Sequence, residues 1–228
     1  MRRLYLVRHG ETDANLNHIV QGQLFDSPLN ETGQKQAKAV AETLKTVDIN
    51  SIYFSPSSRA KQTAEEIFKC HQPPFLNIER HPGLMEINQG IFEGMTTAKV
   101  RKKHTGLHYT YKNRPADMAF PGGESMTQAF DRVRSAISNI LRGFSIDNII
   151  RSSGRGNDLI VSHGGAIALI FIYLFDWDIN TMYHSIRHEN CAISIIEWPK
   201  ELLIGGPRPR ILAMNDTCHL KKISEIII

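Results

Sequence analysis

Leu4-Tyr5-Leu6-Val7-Arg8-His9-Gly10-Glu11-Thr12 begins with four apolar residues and passes without a break into Arg, His, Gly, Glu and Thr. A short apolar run closed by polar residues reads as a buried strand that delivers side chains to its carboxyl end. In open α/β sheets that edge is where ligands bind. A second copy lies far downstream, where Leu159-Ile160-Val161 runs into Ser162-His163-Gly164-Gly165 and then into the apolar stretch from Ala166 to Phe175. Two strands that each end in His-Gly predict two imidazoles converging on one small anionic ligand.

Outward from these strands, strand-like runs alternate with helical patterns. This predicts an α/β fold, a three-layer α/β/α sandwich with a mainly parallel central sheet. A Gly/Asn/Asp/Pro-rich loop from Glu11 to Leu29 precedes a helix with Ala37, Val40, Ala41 and Leu44 on one stripe. Ile49 to Phe54 reads as a strand closed by Ser55-Pro56, and the next helix carries Ala60, Ala64, Ile67 and Phe68 and ends before Pro73-Pro74. From Gly83 to Gly123 the pattern is irregular, which predicts a cap-like segment, at about 84–123, over the carboxyl edge of the sheet. Ser125 and Gln128 have capping-box spacing ahead of an apolar face running from Met126 to Leu141. Ala192 to Ile196 and Ile211 to Met214 read as further strands, and Ser152 to Asn157 and Gly205 to Arg210 as surface loops. With no internal repeat and no linker, residues 1–228 read as a single domain.

Composition narrows the function classes. Hydrophobic content of 41% with 22% charged residues is ordinary for a soluble globular chain. The net charge of +4 is a mild bias, and the groups Arg101-Lys102-Lys103 and Lys221-Lys222 lack the interleaved aromatics of a single-strand nucleic-acid site. They read as solvated faces, so no nucleic-acid partner is expected. Cys70, Cys191 and Cys218 are too few and too scattered for a disulfide framework and read as reduced and inert. Only four apolar residues follow Arg2-Arg3, too few for a signal peptide. Ala166 to Phe175 is about half the length of a membrane span. A cytoplasmic enzyme with no membrane partner fits this composition.

The ordered set of motifs resembles the histidine phosphatase superfamily, also called the phosphoglycerate mutase-like family. Leu6 to Thr12 resembles its first signature; Asn15, Gln21-Gly22 and Asp26-Ser27-Pro28-Leu29, with Gly33, Gln36 and Ala37, resemble the next blocks. Ser55, Arg59-Ala60 and Gln62-Thr63-Ala64-Glu65 resemble the second arginine motif; Leu84, Glu86, Gly90 and Glu93-Gly94 resemble the acid motif. Pro121-Gly122-Gly123-Glu124-Ser125, Val161 to Gly165 and Asn215-Asp216-Thr217 with His219-Leu220 complete the series. Ser57 stands where a Leu is common and Phe92 where a Trp is common, departures that bear on substrate preference rather than on chemistry.

The chemistry of these residues suits that resemblance. A phosphate monoester is a dianion whose transfer spreads charge over three equatorial oxygens. Arg8 and Arg59 offer guanidinium forks for those oxygens, Asn15 a neutral donor, and Gly10 and Gly164 closely approaching backbone amides, Gly164 at a predicted helix start. The resemblance implies that His9 is the nucleophile and becomes a phosphohistidine. It further implies that His163 donates to the phosphoryl oxygens, that Glu86 is the general acid, and that Gln21 and Gly22 contact the substrate. Glu93 and Glu11 are neighbours that could be confused with Glu86, and Glu11 reads as orienting the first loop. His18, His71, His81, His104, His108, His184 and His188 read as surface residues, and His219 as touching the phosphate region or packing beneath it. No His pair has zincin spacing with a glutamate, so no metal and no cofactor are expected.

Three functions compete. The leading one is a metal-independent phosphatase of small phosphorylated metabolites, similar to the broad-specificity and α-ribazole phosphatase branches. A cofactor-dependent phosphoglycerate mutase is the alternative, but such mutases carry a longer insertion than the 26 residues between Gly94 and Pro121. A catalytically dead binding module is the third, yet this chain keeps every active-site His and Arg. Thr96 to Phe120 is expected to form much of the pocket cap. There His104, His108, Tyr109, Tyr111, Lys112 and Arg114 suggest further anionic or aromatic groups on the substrate, a composition that surface exposure explains equally well. The terminal Ile226-Ile227-Ile228 is unusual for a tail left in water and keeps a homodimer open.

Overall fold

The apolar run at the amino terminus forms β1 (Arg2–Arg8), buried along its length from Leu4 to Val7 in a computed structural model that describes residues 2–71, 76–142, 157–198 and 209–221. Its side chains alternate: Leu4 and Leu6 enter one core, Tyr5 and Val7 the other. A strand buried on both faces shows an unbroken apolar sequence for this reason. β1 pairs in parallel with β4 (Asn157–Ser162), β4 with β2 (Ile49–Phe54), and β2 with β3 (Asn77–Arg80). On the other side β5 (Ile193–Trp198) runs antiparallel to β1, and β6 (Arg210–Asp216) antiparallel to β5. Among the described residues the sheet therefore has six strands in the order β3-β2-β4-β1-β5-β6.

Helices cover both faces. After the short α1 (Asp13–Leu16), α2 (Glu31–Leu44) buries Ala37, Val40, Ala41 and Leu44, and α3 (Ser58–His71) buries Ala60, Ala64 and Ile67, all against the Tyr5/Val7 side. α6 (Met126–Arg142) and α7 (Gly164–Phe175) pack on the Leu4/Leu6 side. The capping box ahead of α6 forms as expected: Gln128 N donates to Ser125 Oγ at 3.1 Å and Ser125 N to Gln128 Oε1 at 2.8 Å. None of the helices among the described residues is long and apolar enough to cross a membrane.

Two expectations need correction. The Gly83–Gly123 segment is not wholly irregular, because it contains α4 (Thr97–Lys103) and α5 (Thr105–Asn113). α4 buries only Val100 and α5 buries no residue outright, so neither has an apolar stripe to betray it. β3 also escaped notice: all four of its residues are exposed at the sheet edge, and no alternation marks them. Asn157 and Arg210 belong to strands rather than loops. The rest of the loop expected at 152–157, residues 205–208 of the second loop, Pro73-Pro74 and Ile226–Ile228 lie outside the described residues.

The turn after β1 is held by backbone contact with α2. Asn30 caps that helix, its Oδ1 accepting from Gly33 N at 2.8 Å, while its Nδ2 donates to Glu11 Oε1 at 2.9 Å. A Cβ on Gly33 would stand 2.0 Å from Glu11 O, and one on Gly10 would stand 2.6 Å from Gly33 O. Both positions therefore need glycine for close approach. Gly33→Ala should lower stability by about 1–3 kcal/mol through overpacking. Urea unfolding measures this, and an unchanged midpoint would refute the tight fit.

Candidate active site

The carboxyl end of β1 places His9 where only 3% of it is exposed. Its Nδ1 lies 2.7 Å from Gly10 O, and because a carbonyl only accepts, Nδ1 carries the proton. Nε2 is left with a lone pair, and Arg59 Nε donates toward it at 3.3 Å. Burial first, then the charges of Arg59 and Arg8, push the His9 pKa well below the ordinary histidine value, so the ring is neutral at physiological pH.

β4 delivers His163 beside it, with ring centroids 5.1 Å apart. His163 Nε2 faces Ser55 Oγ at 2.7 Å and Ser57 Oγ at 3.4 Å, and its buried Nδ1 has no partner among the described residues. Burial, Arg59, His9 and Arg8, in that order, keep this imidazole neutral as well. Arg59 is 1% exposed and is aimed by its neighbours: NH1 pairs with Asp26 Oδ1 at 3.2 Å and NH2 donates to Gly22 O at 3.1 Å. Arg8 NH1 donates to His188 O at 2.6 Å, and a Cβ on Gly164 would meet Arg8 Nε at 3.7 Å. Two cations thus flank two neutral imidazoles, an arrangement complementary to a compact dianion.

Three glutamates separate by their partners. Glu86 Oε1 accepts from Ile87 N at 2.9 Å and Ala166 N at 3.1 Å, and Oε2 from Gly165 N at 3.1 Å. The carboxylate therefore sits on the amino terminus of α7, beside the two histidines. Glu93 instead accepts from the backbone N–H groups of Gln23, Leu24, Phe25 and Gln89 and organises that loop. Glu11 holds Asn30 and lies with the first loop, as expected. The start of α7 was expected to present the Gly164 amide to the ligand anion; the next two amides, of Gly165 and Ala166, are taken by Glu86.

Asn15 joins the site through Asn190, whose Nδ2 reaches His9 O at 3.0 Å and Asn15 Oδ1 at 3.3 Å. Since Thr12 N and Oγ also donate to Asn15 Oδ1, the Asn15 amide nitrogen is the group left for a ligand. Gln21 Oε1 is buried without a partner among the described residues, and Gly22 acts through its carbonyl on Arg59. Sequence reasoning passed over Asn190, Asp26, Ser55 and Arg132 as contacts. Arg132 donates to Gly83 O, Met85 O and Glu86 O and pairs with Glu124 at 2.6 Å, pinning the loop that carries Glu86. The capping box and the apolar face had announced that helix, but nothing in its pattern singled out Arg132. His188 is a correction: it is buried, with Nε2 2.7 Å from Ser194 Oγ. His219 packs behind the site, its Nε2 donating to Cys191 O at 3.0 Å.

Comparison with known proteins agrees with this geometry. A family model described as the histidine phosphatase superfamily (branch 1) matches residues 4–216. Phosphoserine phosphatase 1 of Hydrogenobacter thermophilus is 29% identical over 220 residues, covering 96% of this chain and 95% of that protein. A probable phosphoglycerate mutase GpmB of Salmonella choleraesuis is 33% identical over 201 residues, covering 87% and 86%. The structure of YhfR from Bacillus stearothermophilus superposes with a TM-score of 0.80 at 27% identity, over 97% of this chain and 100% of that one.

The buried histidines make stability depend on pH. Burial, with Arg8 nearby, lowers His188 from 6.5 to about 4. Below pH 6.5 the unfolded chain takes up a proton that folded His188 refuses until pH 4, so stability falls as pH falls through that window. One such group contributes a slope of about 1.4 kcal/mol per pH unit. Urea unfolding at pH 6.5 and 5 should show His188→Gln losing about 2 kcal/mol less than the wild type. An equal loss in both proteins would contradict the assignment.

Proposed function

The chain belongs to the histidine phosphatase superfamily, and on that premise we propose that it is a metal-independent phosphatase that hydrolyses small phosphate monoesters through a phosphohistidine on His9. The observation that carries this reading is the His9 tautomer: Nδ1–H is bound to Gly10 O, so Nε2 offers its lone pair beside Arg59. The positive charge that a metal would supply comes from Arg8 and Arg59.

In the first step Nε2 of His9 attacks phosphorus in line, the N–P bond forms and the bond to the ester oxygen breaks. Arg8, Arg59, Asn15 and His163 bind the equatorial oxygens as their charge grows. Glu86 gives the leaving alkoxide its proton. Its Oε1 already accepts two N–H groups and its Oε2 one, so Oε2 keeps a lone pair on which that proton can reside. Water then attacks the phosphohistidine, Glu86 takes the water proton, and inorganic phosphate and neutral His9 are restored.

The likeness to a probable phosphoglycerate mutase favours one alternative, return of the phosphoryl group to the substrate. A mutase must keep water from the phosphohistidine while its intermediate reorients. The short segment between Gly94 and Pro121 supports hydrolysis instead. Rapid alkaline quench with labelled substrate should trap an acid-labile, base-stable phosphoenzyme that is absent in His9→Ala. Phosphate release should persist in EDTA, with slow interconversion of the two phosphoglycerates. Fast interconversion dependent on 2,3-bisphosphoglycerate without phosphate release would overturn the reading.

Glu86→Gln should leave nitrophenyl phosphate hydrolysis nearly intact, because nitrophenolate leaves without a proton. An alkyl phosphate should lose roughly 10²–10⁴-fold in kcat/KM, the usual worth of a general acid. Equal losses on both esters, or the selective loss appearing in Glu93→Gln, would move the role elsewhere.

A further inference from the structure

A guanidinium has five N–H donors in a rigid fork, and Arg132 uses every one of them inside the protein. Nε donates to Glu124 Oε2 at 3.1 Å. NH1 donates to Gly83 O at 3.0 Å and Met85 O at 2.9 Å. NH2 donates to Glu86 O at 3.3 Å and Glu124 Oε1 at 2.6 Å. Nothing is left for a ligand, so this arginine serves the loop it grips. The pair it forms with Glu124 is two-pronged and largely shielded, the side chains being 23% and 16% exposed. Such a fork-to-carboxylate contact fixes direction as well as distance.

Glu124 is the hub of a wider network. Its Oε1 also accepts from Asn88 N at 2.8 Å and from Gln23 Nε2 at 3.3 Å. The same Gln23 Nε2 donates to Glu86 O at 2.8 Å. The Glu86 carbonyl is thus held from two sides, by Arg132 on α6 and by Gln23 on the first long loop. Gln23 follows Gly22, whose carbonyl accepts from Arg59 NH2 at 3.1 Å. The turn that carries Glu124 sits hard against the acid loop, since a Cβ on Gly123 would stand 2.2 Å from Asn88 O.

We propose that Arg132 and Glu124 are positioning residues for the acid step, holding the Glu86 backbone so that its carboxylate stays within reach of the leaving oxygen, with Gln23 tying it to the loop that aims Arg59. This inference rests on the phosphatase reading above. Neither residue touches the substrate, and each acts through Glu86. A displacement of about 1 Å in a reacting group can cost on the order of 100-fold, so the effect should approach, but not exceed, that of losing Glu86 itself.

The test uses the full chain and two esters, nitrophenyl phosphate and 2-phenylethyl phosphate. Only the second needs a proton on its leaving oxygen. The ratio of their kcat/KM values in one preparation is independent of how much of the protein is folded. Arg132→Met should lower the alkyl-to-nitrophenyl ratio roughly 10–100-fold, mainly through kcat on the alkyl ester. Glu124→Ala should lower it about tenfold, and Arg132→Lys, milder for folding, by a smaller factor. In a Glu86→Gln background Arg132→Met should leave the ratio where Glu86→Gln alone puts it, because both act on one step. Arg134→Met, on the same helix but paired with Asp131, should keep the wild-type ratio. A ratio unmoved by Arg132→Met and Glu124→Ala, or a further fall when Arg132→Met is added to Glu86→Gln, overturns the proposal. Selective loss in Glu86→Gln without it in these variants overturns the positioning alone. Equal losses on both esters in Glu86→Gln overturn the acid role and the positioning with it. Failure of the wild type to release phosphate from either ester overturns the phosphatase reading.

Discussion

The parallel register between β1 and β4 is the constraint on which the site depends. Arg8 stands opposite Ser162, and His9 N donates to Ser162 O at 3.0 Å, so each strand releases its histidine at the same level of the sheet. A slip of one residue would turn every β1 side chain to the other face. Leu4 and Leu6 would then lie among the residues of α2 and α3, and Tyr5 and Val7 among those of α6 and α7. Both cores oppose the slip, and the 5.1 Å spacing of the imidazoles follows from that packing. Catalytic geometry here is inherited from hydrophobic burial.

Electrostatics pulls the other way. Arg59 is almost wholly buried, and its carboxylate partner Asp26 is 40% exposed and sits at 3.2 Å. Arg8 is held by a carbonyl, and its Nε has no partner among the described residues. Buried cations compensated this loosely cost stability. Burial first, and then these cations, keep His9 and His163 unprotonated, the state that the proposed nucleophile requires. The two guanidinium groups leave this end of the sheet with a positive charge complementary to a dianion.

Much of this was legible in the chain because burial writes periodicity. β1, β2, β4, α2, α3 and α6 each bury a face or two, and their apolar spacing announced them. β3, α4 and α5 bury little, so composition alone could not separate them from loop. In the same way, motif residues such as His9, Arg59, His163 and Glu86 could be named, but their supports could not. Asn190 and Arg132 matter through contacts that only the folded chain creates: Asn190 meets His9 from 181 residues away. His188 looked like one loop histidine among several, and only its contact with Ser194 beneath Arg8 sets it apart.

Glu86 shows how one local rule can serve two ends. A helix amino terminus attracts an anion, and the glycines after His163 suggested that the ligand phosphate would take that place. The chain's own carboxylate takes the Gly165 and Ala166 amides of that first turn. Gly165 is needed there because any side chain would strike Glu86 Oε1 at 2.6 Å. Arg132 grips the carbonyls at 83, 85 and 86, and Ser162 Oγ donates to Leu84 O at 2.7 Å, so the acid loop is tied to both α6 and β4. Glu86 is fixed relative to His9 through the same strand that carries His163. Loop, helix and sheet edge thus share one hydrogen-bonded frame, and moving Glu86 would require breaking contacts in all three.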